Sequence, residues 1–224
     1  MRNVIALILC RGNSKGIKNK NMKIFCNKPL IYWTIKSLKQ SKLIKKIYLS
    51  SDSNKILNYG KNQKINIIKR PSKLATDKSI SEHAISHAFK KIDFHFDDVV
   101  FTQVTSPLRP NNIFDKSLKF YFKKDYDSMF SANKLNKTFF WKTKKNKIKP
   151  TFNIKNRKMR QDINDTYLEN GSFYIFKKNG FLKHNNRLFG NIGVYNIDKI
   201  YSFDIDEIED FKINEFLKKE YKIK

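Results

Sequence analysis

Residues 3–21 read NVIALILCRGNSKGIKNKN. Seven apolar residues, 4–10, end abruptly at Cys10. Glycine, serine, asparagine and four cationic side chains follow at once. A short apolar run without alternation is too brief for a helix and predicts a strand buried on both faces. Such a strand needs helices on both sides of its sheet. The expected fold is therefore α/β, with a mostly parallel sheet.

The rest of the first half repeats the theme. Helix-like patterns are expected at residues 29–40, 53–61, 79–91 and 112–123. Strand-like runs are expected at 46–50, 65–68, 98–103 and 128–132. Pro29 suits a first helical turn, and Ser53 suits a helix cap. Residues 134–165 break the pattern, being rich in Lys, Asn and Thr with scattered aromatics. They read as a hairpin-like excursion from the main sheet. Residues 171–176 and 203–205 read as strands, Asn170–Gly171 as a turn, and 208–221 as the last helix.

In open α/β sheets, ligands bind outside the carboxyl ends of the strands. That rule selects 11–21, 50–53, 104–109 and the Asp204/Asp206 pair. In the first loop, Gly12 and Gly16 let backbone amides turn toward an anion. Arg11, Lys15 and Lys20 add charge there, and Ser14 and Asn21 add neutral hydrogen bonds. The loop is neither GxxxxGK[ST] nor GxGxxG. Asp204 and Asp206 alternate along an extended segment and should share a side. Two such carboxylates suit Mg²⁺ beside phosphates, although the acidic run 206–210 also suits a helix start. Gln103 is placed to read hydroxyls or a carboxylate, with Arg109 beyond it. Arg160 can take a carboxylate in a bidentate fork, with Gln161 beside it.

The chain has 224 residues, enough for one domain with a real core. Its net charge is +27. The excess is mostly Lys, spread along the chain among abundant Asn and Ile, which points to compositional bias rather than a dedicated polynucleotide surface. No apolar run approaches the ~20 residues of a membrane span, and no signal peptide is expected. Two cysteines without a spacing pattern suit a reduced, cytoplasmic protein, and no zinc cluster is expected.

Taken in order, these segments resemble the CMP-sialic acid synthetases, or acylneuraminate cytidylyltransferases. The resemblance lies in Cys10 through Lys15, Lys20-Asn21, Pro29-Leu30-Ile31 and Ser50-Ser51-Asp52. It continues through Arg70 to Asp77 with Ser81 beyond, Gln103 to Arg109, the RQD…ENGSFY stretch of 160–174, and the DID of 204–206. It runs from residue 3 to about residue 216. Cys10, Val104, Glu207 and Leu168-Glu169 depart from the family pattern and leave the sugar open.

The resemblance implies a three-layer α/β/α sandwich of the nucleotide-diphosphosugar transferase type. One cytidylyltransferase domain would span 1–224, with 134–165 as a dimerisation arm and a homodimer as the working form. The implied reaction transfers CMP from CTP to the anomeric hydroxyl of a sialic-acid-like nonulosonic acid, releasing pyrophosphate. Arg11 and Lys20 would stabilise the phosphates, and Ser14 and Asn21 would orient the nucleotide. Arg70 and Ser81 would contact cytidine, Gln103 would read the sugar, and Asp204 and Asp206 would hold Mg²⁺. Lys142, Arg160 and Gln161 would lie near the sugar carboxylate. A metal-bound hydroxide and Asp206 both stand as candidates for the general base. The same chemistry on legionaminic, pseudaminic or 3-deoxy-manno-octulosonic acid is the near alternative. A basic nucleic-acid-binding protein is the alternative of a different class.

Overall fold

In the computed structural model, β1 (Val4–Leu9) is the strand the apolar run predicts. The structure describes residues 2–14, 16–77, 79–135, 139–145, 147–163 and 165–223; the side chains of Lys144 and Arg160 also lie outside the description. After β1 come the paired strands β2 (Ile24–Phe25) and β3 (Lys28–Pro29), then α1 (Leu30–Lys39), β4 (Ile44–Ser51), α2 (Asn54–Asn62) and β5 (Asn66–Lys69). They are followed by α3 (Ser81–Phe89), β6 (Asp98–Thr102), α4 (Ile113–Lys123) and β7 (Ser128–Leu135). The chain ends with β8 (Trp141–Lys144), β9 (Lys147–Pro150), β10 (Thr166–Lys177), α5 (Lys178–His184), β11 (Ile192–Asn196) and α6 (Ile208–Glu220).

Seven strands form one sheet in the order β11-β7-β10-β6-β1-β4-β5. β10 alone runs antiparallel to its neighbours β6 and β7. The chain leaves β1 toward β4 and β5, then returns on the other side of β1 as β6. Strand order thus reverses at β1/β6, which is where an open α/β sheet holds its ligand.

The period-2 geometry of β1 divides its side chains between two cores. Val4, Ala6 and Ile8 pack with Leu30, Ile31, Ile35 and Leu38 of α1 and with Ile113, Phe114 and Leu118 of α4. Ile5 and Leu7 pack on the other face with Ile85, Ala88 and Phe89 of α3 and Phe181 of α5. Each aliphatic side chain so buried contributes roughly 1.5–3 kcal/mol. This is the three-layer α/β/α arrangement expected from the sequence.

Several local expectations need correction. Ser53 occupies the position before α2, but its side chain makes no capping bond. Pro29 lies just before α1 rather than inside its first turn. Asn170–Gly171 is not a turn: β10 runs straight through it, with a register shift between Glu169 and Tyr174. Gly171 sits at φ +66°, the left-handed conformation of a glycine bulge. Residues 203–205 pair with no strand; the segment is pinned by the Ile205 amide donating to the Thr105 carbonyl at 2.9 Å. The sequence pattern does not mark α5 and β11, because Lys178–His184 is short and lysine-rich and Ile192–Asn196 is a half-exposed edge strand.

Within 134–165 the chain forms a separate two-stranded hairpin, β8 against β9, as the broken pattern suggests. Its aromatic side chains pack together, with Phe139 and Phe152 at 4.5 Å and the Arg157 guanidinium 4.2 Å over Phe139. Among the described residues no helix is long and apolar enough to cross a membrane.

Candidate active site

A cleft of about 400 Å³ opens at the β1/β6 reversal, over the carboxyl ends of those strands. That size suits a nucleotide. Arg11, Ser14, Lys20, Asn21, Arg70, Ser81, Gln103, Asp204 and Asp206 all line it. Nine residues drawn from five separate stretches of sequence are thereby brought together.

The cationic loop is held in shape by its own polar groups. The Gly12 amide donates to Asp52 Oδ1 at 2.9 Å, and Asn21 Nδ2 donates to the Arg11 carbonyl at 2.9 Å. Asp52 does not line the cleft; it fixes the loop from behind. Lys20 begins a short 3-10 turn, Lys20–Met22, and its stem is buried. Its ammonium donates to the Ile205 carbonyl at 2.6 Å and to Asp206 Oδ1 at 3.0 Å. Gly16 comes equally close to the acidic segment: a Cβ there would lie 2.8 Å from the Asp206 carbonyl oxygen. Lys15, also part of this loop, lies outside the described residues.

The acidic stretch splits into two functions. Asp204 and Asp206 face the cleft while Ile205 between them is fully buried, so the alternation holds without a strand. Glu207 and Asp210 instead form a capping box at the start of α6, where Asp210 Oδ2 accepts from the amides of both Asp206 and Glu207 at 2.8 Å. Burial pushes the Asp204 carboxyl above the usual range, the Ser106 hydroxyl bond opposes this, and nearby Asp206 reinforces it. Both carboxylates are hard oxygen donors open to one cleft, a set that fits Mg²⁺ with water and phosphate completing its shell. Among the described residues no third carboxylate, His or Cys joins them as a metal cluster.

Arg70 is buried, with its guanidinium 4.0 Å from Asp52. Burial lowers its pKa and the Asp52 charge opposes that. Its Nε is buried without a hydrogen-bond partner. Cys10 is buried close by; burial pushes its thiol far up, so it serves as a small apolar side chain.

Arg109 takes a different place from the one its loop suggests. It is buried and donates to the Thr34 and Thr102 hydroxyls at 3.0 and 2.8 Å, and to the carbonyls of Gln103 and Ser172 at 2.7 and 3.2 Å. It joins α1, β6 and β10 beneath the cleft rather than entering it.

Asp77 ends the Arg70–Asp77 stretch that carries the resemblance but is given no role from sequence; it lines the cleft and pairs with Arg11 at 2.5 Å. The signal was available: the polar stretch after β5 is another loop at the carboxyl end of a parallel strand. Lys142 stands on the exposed hairpin and Gln161 on an exposed turn, neither among the cleft residues. The Arg160 side chain lies outside the description.

A family model described as Cytidylyltransferase matches residues 5–223. The chain is 31% identical over 231 residues to post-translational flagellin modification protein B of Campylobacter coli, covering 98% of this chain and 97% of that protein. It is 30% identical over 220 residues to the N-acylneuraminate cytidylyltransferase of Escherichia coli O18:K1:H7, covering 94% of this chain and 51% of that one. The chain therefore spans nearly all of the first relative and about half the length of the second. Among solved structures it resembles CMP:2-keto-3-deoxy-manno-octonic acid synthetase complexed with CTP, with a TM-score of 0.74 at 10% identity over 98% of this chain and 99% of that one. At that identity the likeness is one of fold.

Proposed function

The chain belongs to the cytidylyltransferase family, and from that premise we propose that it transfers CMP from CTP to the anomeric hydroxyl of a nonulosonic acid. The new bond joins the sugar oxygen to the α-phosphorus. The α–β phosphoanhydride bond breaks, pyrophosphate leaves, and the hydroxyl proton passes to a base at the cleft. The observation that carries this reading is the meeting of the cationic loop, the buried Arg70 and the Asp204/Asp206 pair in one nucleotide-sized cleft.

In this reading each residue acts through its position. Arg11 and Lys20 balance negative charge that grows on the phosphates during in-line displacement. Ser14 and Asn21 orient the nucleotide. Arg70 and Ser81, the first residue of α3, both line the cleft and would contact the cytidine. Gln103, at the end of β6, faces the sugar. Asp204 and Asp206 would hold Mg²⁺, which supplies charge neutralisation at phosphate oxygens when bound. Lys20 already bonds Asp206, so phosphate and carboxylate compete for one ammonium.

We assign the working form to a homodimer built through the 134–165 arm. Trp141 on β8, Ile148 on β9 and Ile154 beyond the hairpin are all more than half exposed. Apolar side chains left exposed together on and beside one hairpin favour burial against a partner. Lys142, Arg160 and Gln161 sit on the same arm, and a partner's arm would bring them to a sugar carboxylate. The reaction is assigned to the cytoplasm, in keeping with two free thiols.

The test is pyrophosphate release with CTP and Mg²⁺ against N-acetylneuraminic, legionaminic, pseudaminic and 3-deoxy-manno-octulosonic acids. ATP, GTP and UTP serve as nucleotide controls. A CTP-dependent signal with at least one acid is expected. Silence across the panel from folded protein refutes the proposal.

A further inference from the structure

Ser106 sits in the loop after β6, between Thr105 and Pro107, and is buried. It does not line the cleft. Its hydroxyl donates to Asp204 Oδ1 and makes no other hydrogen bond among the described residues. Asp204 does line the cleft. Its second oxygen, Oδ2, accepts no hydrogen bond among the described residues and is not buried. A Cβ at Gly171 would lie 3.4 Å from Asp204 Oδ2 and 3.5 Å from Gln103 Oε1, so the open oxygen stands on the Gln103 side. One carboxylate oxygen thus meets a buried donor, and the other is left to the cleft.

The main chain of the acidic segment is held by other groups. The Ile205 amide donates to the Thr105 carbonyl at 2.9 Å, and the Ile205 carbonyl accepts from Lys20 Nζ at 2.6 Å. The Ile205 side chain is fully buried. These contacts set where the segment lies without help from Ser106. They leave the Asp204 side chain its choice of staggered rotamers. The Ser106 hydroxyl selects one of them. Pro107 keeps the Ser106 backbone out of the helical region, so the donor itself is firmly placed. The Asp206 side chain is 78% exposed and can adjust to a cation, which leaves Asp204 as the carboxylate whose direction is set in advance.

We infer that Ser106 is a positioning residue: by bonding Oδ1 it holds the Asp204 carboxylate in one rotamer, with Oδ2 presented to a divalent cation in the cleft. This rests on the function proposed above and on Asp204 as one of its two metal-holding carboxylates. Ser106 touches neither substrate nor cation and acts only through Asp204. A group that hydrogen-bonds a ligating carboxylate fixes its orientation, and losing such a group weakens metal binding or activity by about 10- to 100-fold.

The test measures Mn²⁺ binding to the protein with CTP present and no sugar acid, by water-proton relaxation against CTP alone. Wild type, Ser106→Ala, Ser106→Thr, Asp204→Asn and the Ser106→Ala/Asp204→Asn double variant are compared, alongside thermal unfolding. Ser106→Ala is expected to weaken Mn²⁺ binding by about tenfold, and Ser106→Thr, which keeps the hydroxyl, to restore it to within about threefold of wild type. In turnover, the Mg²⁺ concentration for half-maximal rate should rise by about the same factor, while KM for the sugar acid at saturating Mg²⁺ stays within about twofold. Adding Ser106→Ala to Asp204→Asn should change Mn²⁺ binding by less than about twofold, because the hydroxyl then has no carboxylate to hold. Wild-type Mn²⁺ binding in folded Ser106→Ala overturns the inference, as does full additivity in the double variant. A folded Ser106→Thr that binds Mn²⁺ as weakly as Ser106→Ala also overturns it, and a Ser106→Ala that no longer folds assigns the residue to the fold instead. Wild-type Mn²⁺ binding in Asp204→Asn removes the metal assignment and this inference with it. Silence of the wild type with every acid refutes the reaction, whereas the Mn²⁺ comparison still decides the role of Ser106.

Discussion

Replacing Arg109 by Met tests whether the loop after β6 is held by that one buried cation. Arg109 makes four hydrogen bonds to groups on α1, β6 and β10. Methionine fills most of its volume, so the cavity contribution is small. The Thr102 hydroxyl keeps its 2.7 Å bond to the Ser172 carbonyl. The Gln103 carbonyl keeps only long contacts, at 3.4 and 3.5 Å, from Thr34 and Thr102. One poorly satisfied buried carbonyl costs about 1–3 kcal/mol. Removing the cation also relieves its desolvation, which offsets part of the bonds it made. The net loss should be about 2–4 kcal/mol, or a Tm decrease of about 5–15 °C for a chain of this length. Gln103 loses its main-chain anchor, so KM for the sugar acid should rise more than KM for CTP. Urea unfolding with thermal scans measures the first effect, and initial rates measure the second. A Tm within about 2 °C of wild type would refute the assignment of Arg109 as a structural tie.

Gly16→Ala places a Cβ 2.8 Å from the Asp206 carbonyl, against backbone that cannot rotate away. The loop must shift, and kcat/KM for CTP should fall roughly 10- to 100-fold with little change in Tm; wild-type kinetics would show that the loop does not need this approach. Asp204→Asn with Asp206→Asn should nearly abolish turnover at any Mg²⁺ concentration, measured by pyrophosphate release. Retained, Mg²⁺-dependent turnover would remove the metal assignment. Asp98 is fully buried against Arg2 and Tyr121, and burial raises its pKa to about 6. The folded state therefore binds its proton more tightly than the unfolded chain. That contribution to stability is present below the unfolded value near 3.8 and is lost as pH rises through about 6. The span amounts to about 3 kcal/mol at most. Urea midpoints from pH 4 to 7 should show this slope in wild type and lose it in Asp98→Asn.

The residues of β1 determined the sheet by themselves. An unbroken apolar run among alternating helix-like and strand-like segments is satisfied inside a two-sided α/β sandwich, and the cationic loop after it had to lie at a strand's carboxyl end. The spacing of Asp204 and Asp206 likewise placed both carboxylates on one side, because alternation along an extended chain is a local property. The alternation survives even though no strand pairs with 203–205. What the linear sequence left open depended on partners distant in the chain. Gly171 carries the same letters whether Asn-Gly turns a hairpin or bulges a continuous strand, and the pairing of β10 with β6 and β7 chose the bulge. Arg109 and Arg187 sit in unremarkable loops. Burial beneath Thr34, Thr102 and Ser172 made one a structural tie, and two aromatic rings on neighbouring strands stack against the other. A charge becomes a tie or a binding group through the groups packed around it, and only the tertiary structure supplies those groups.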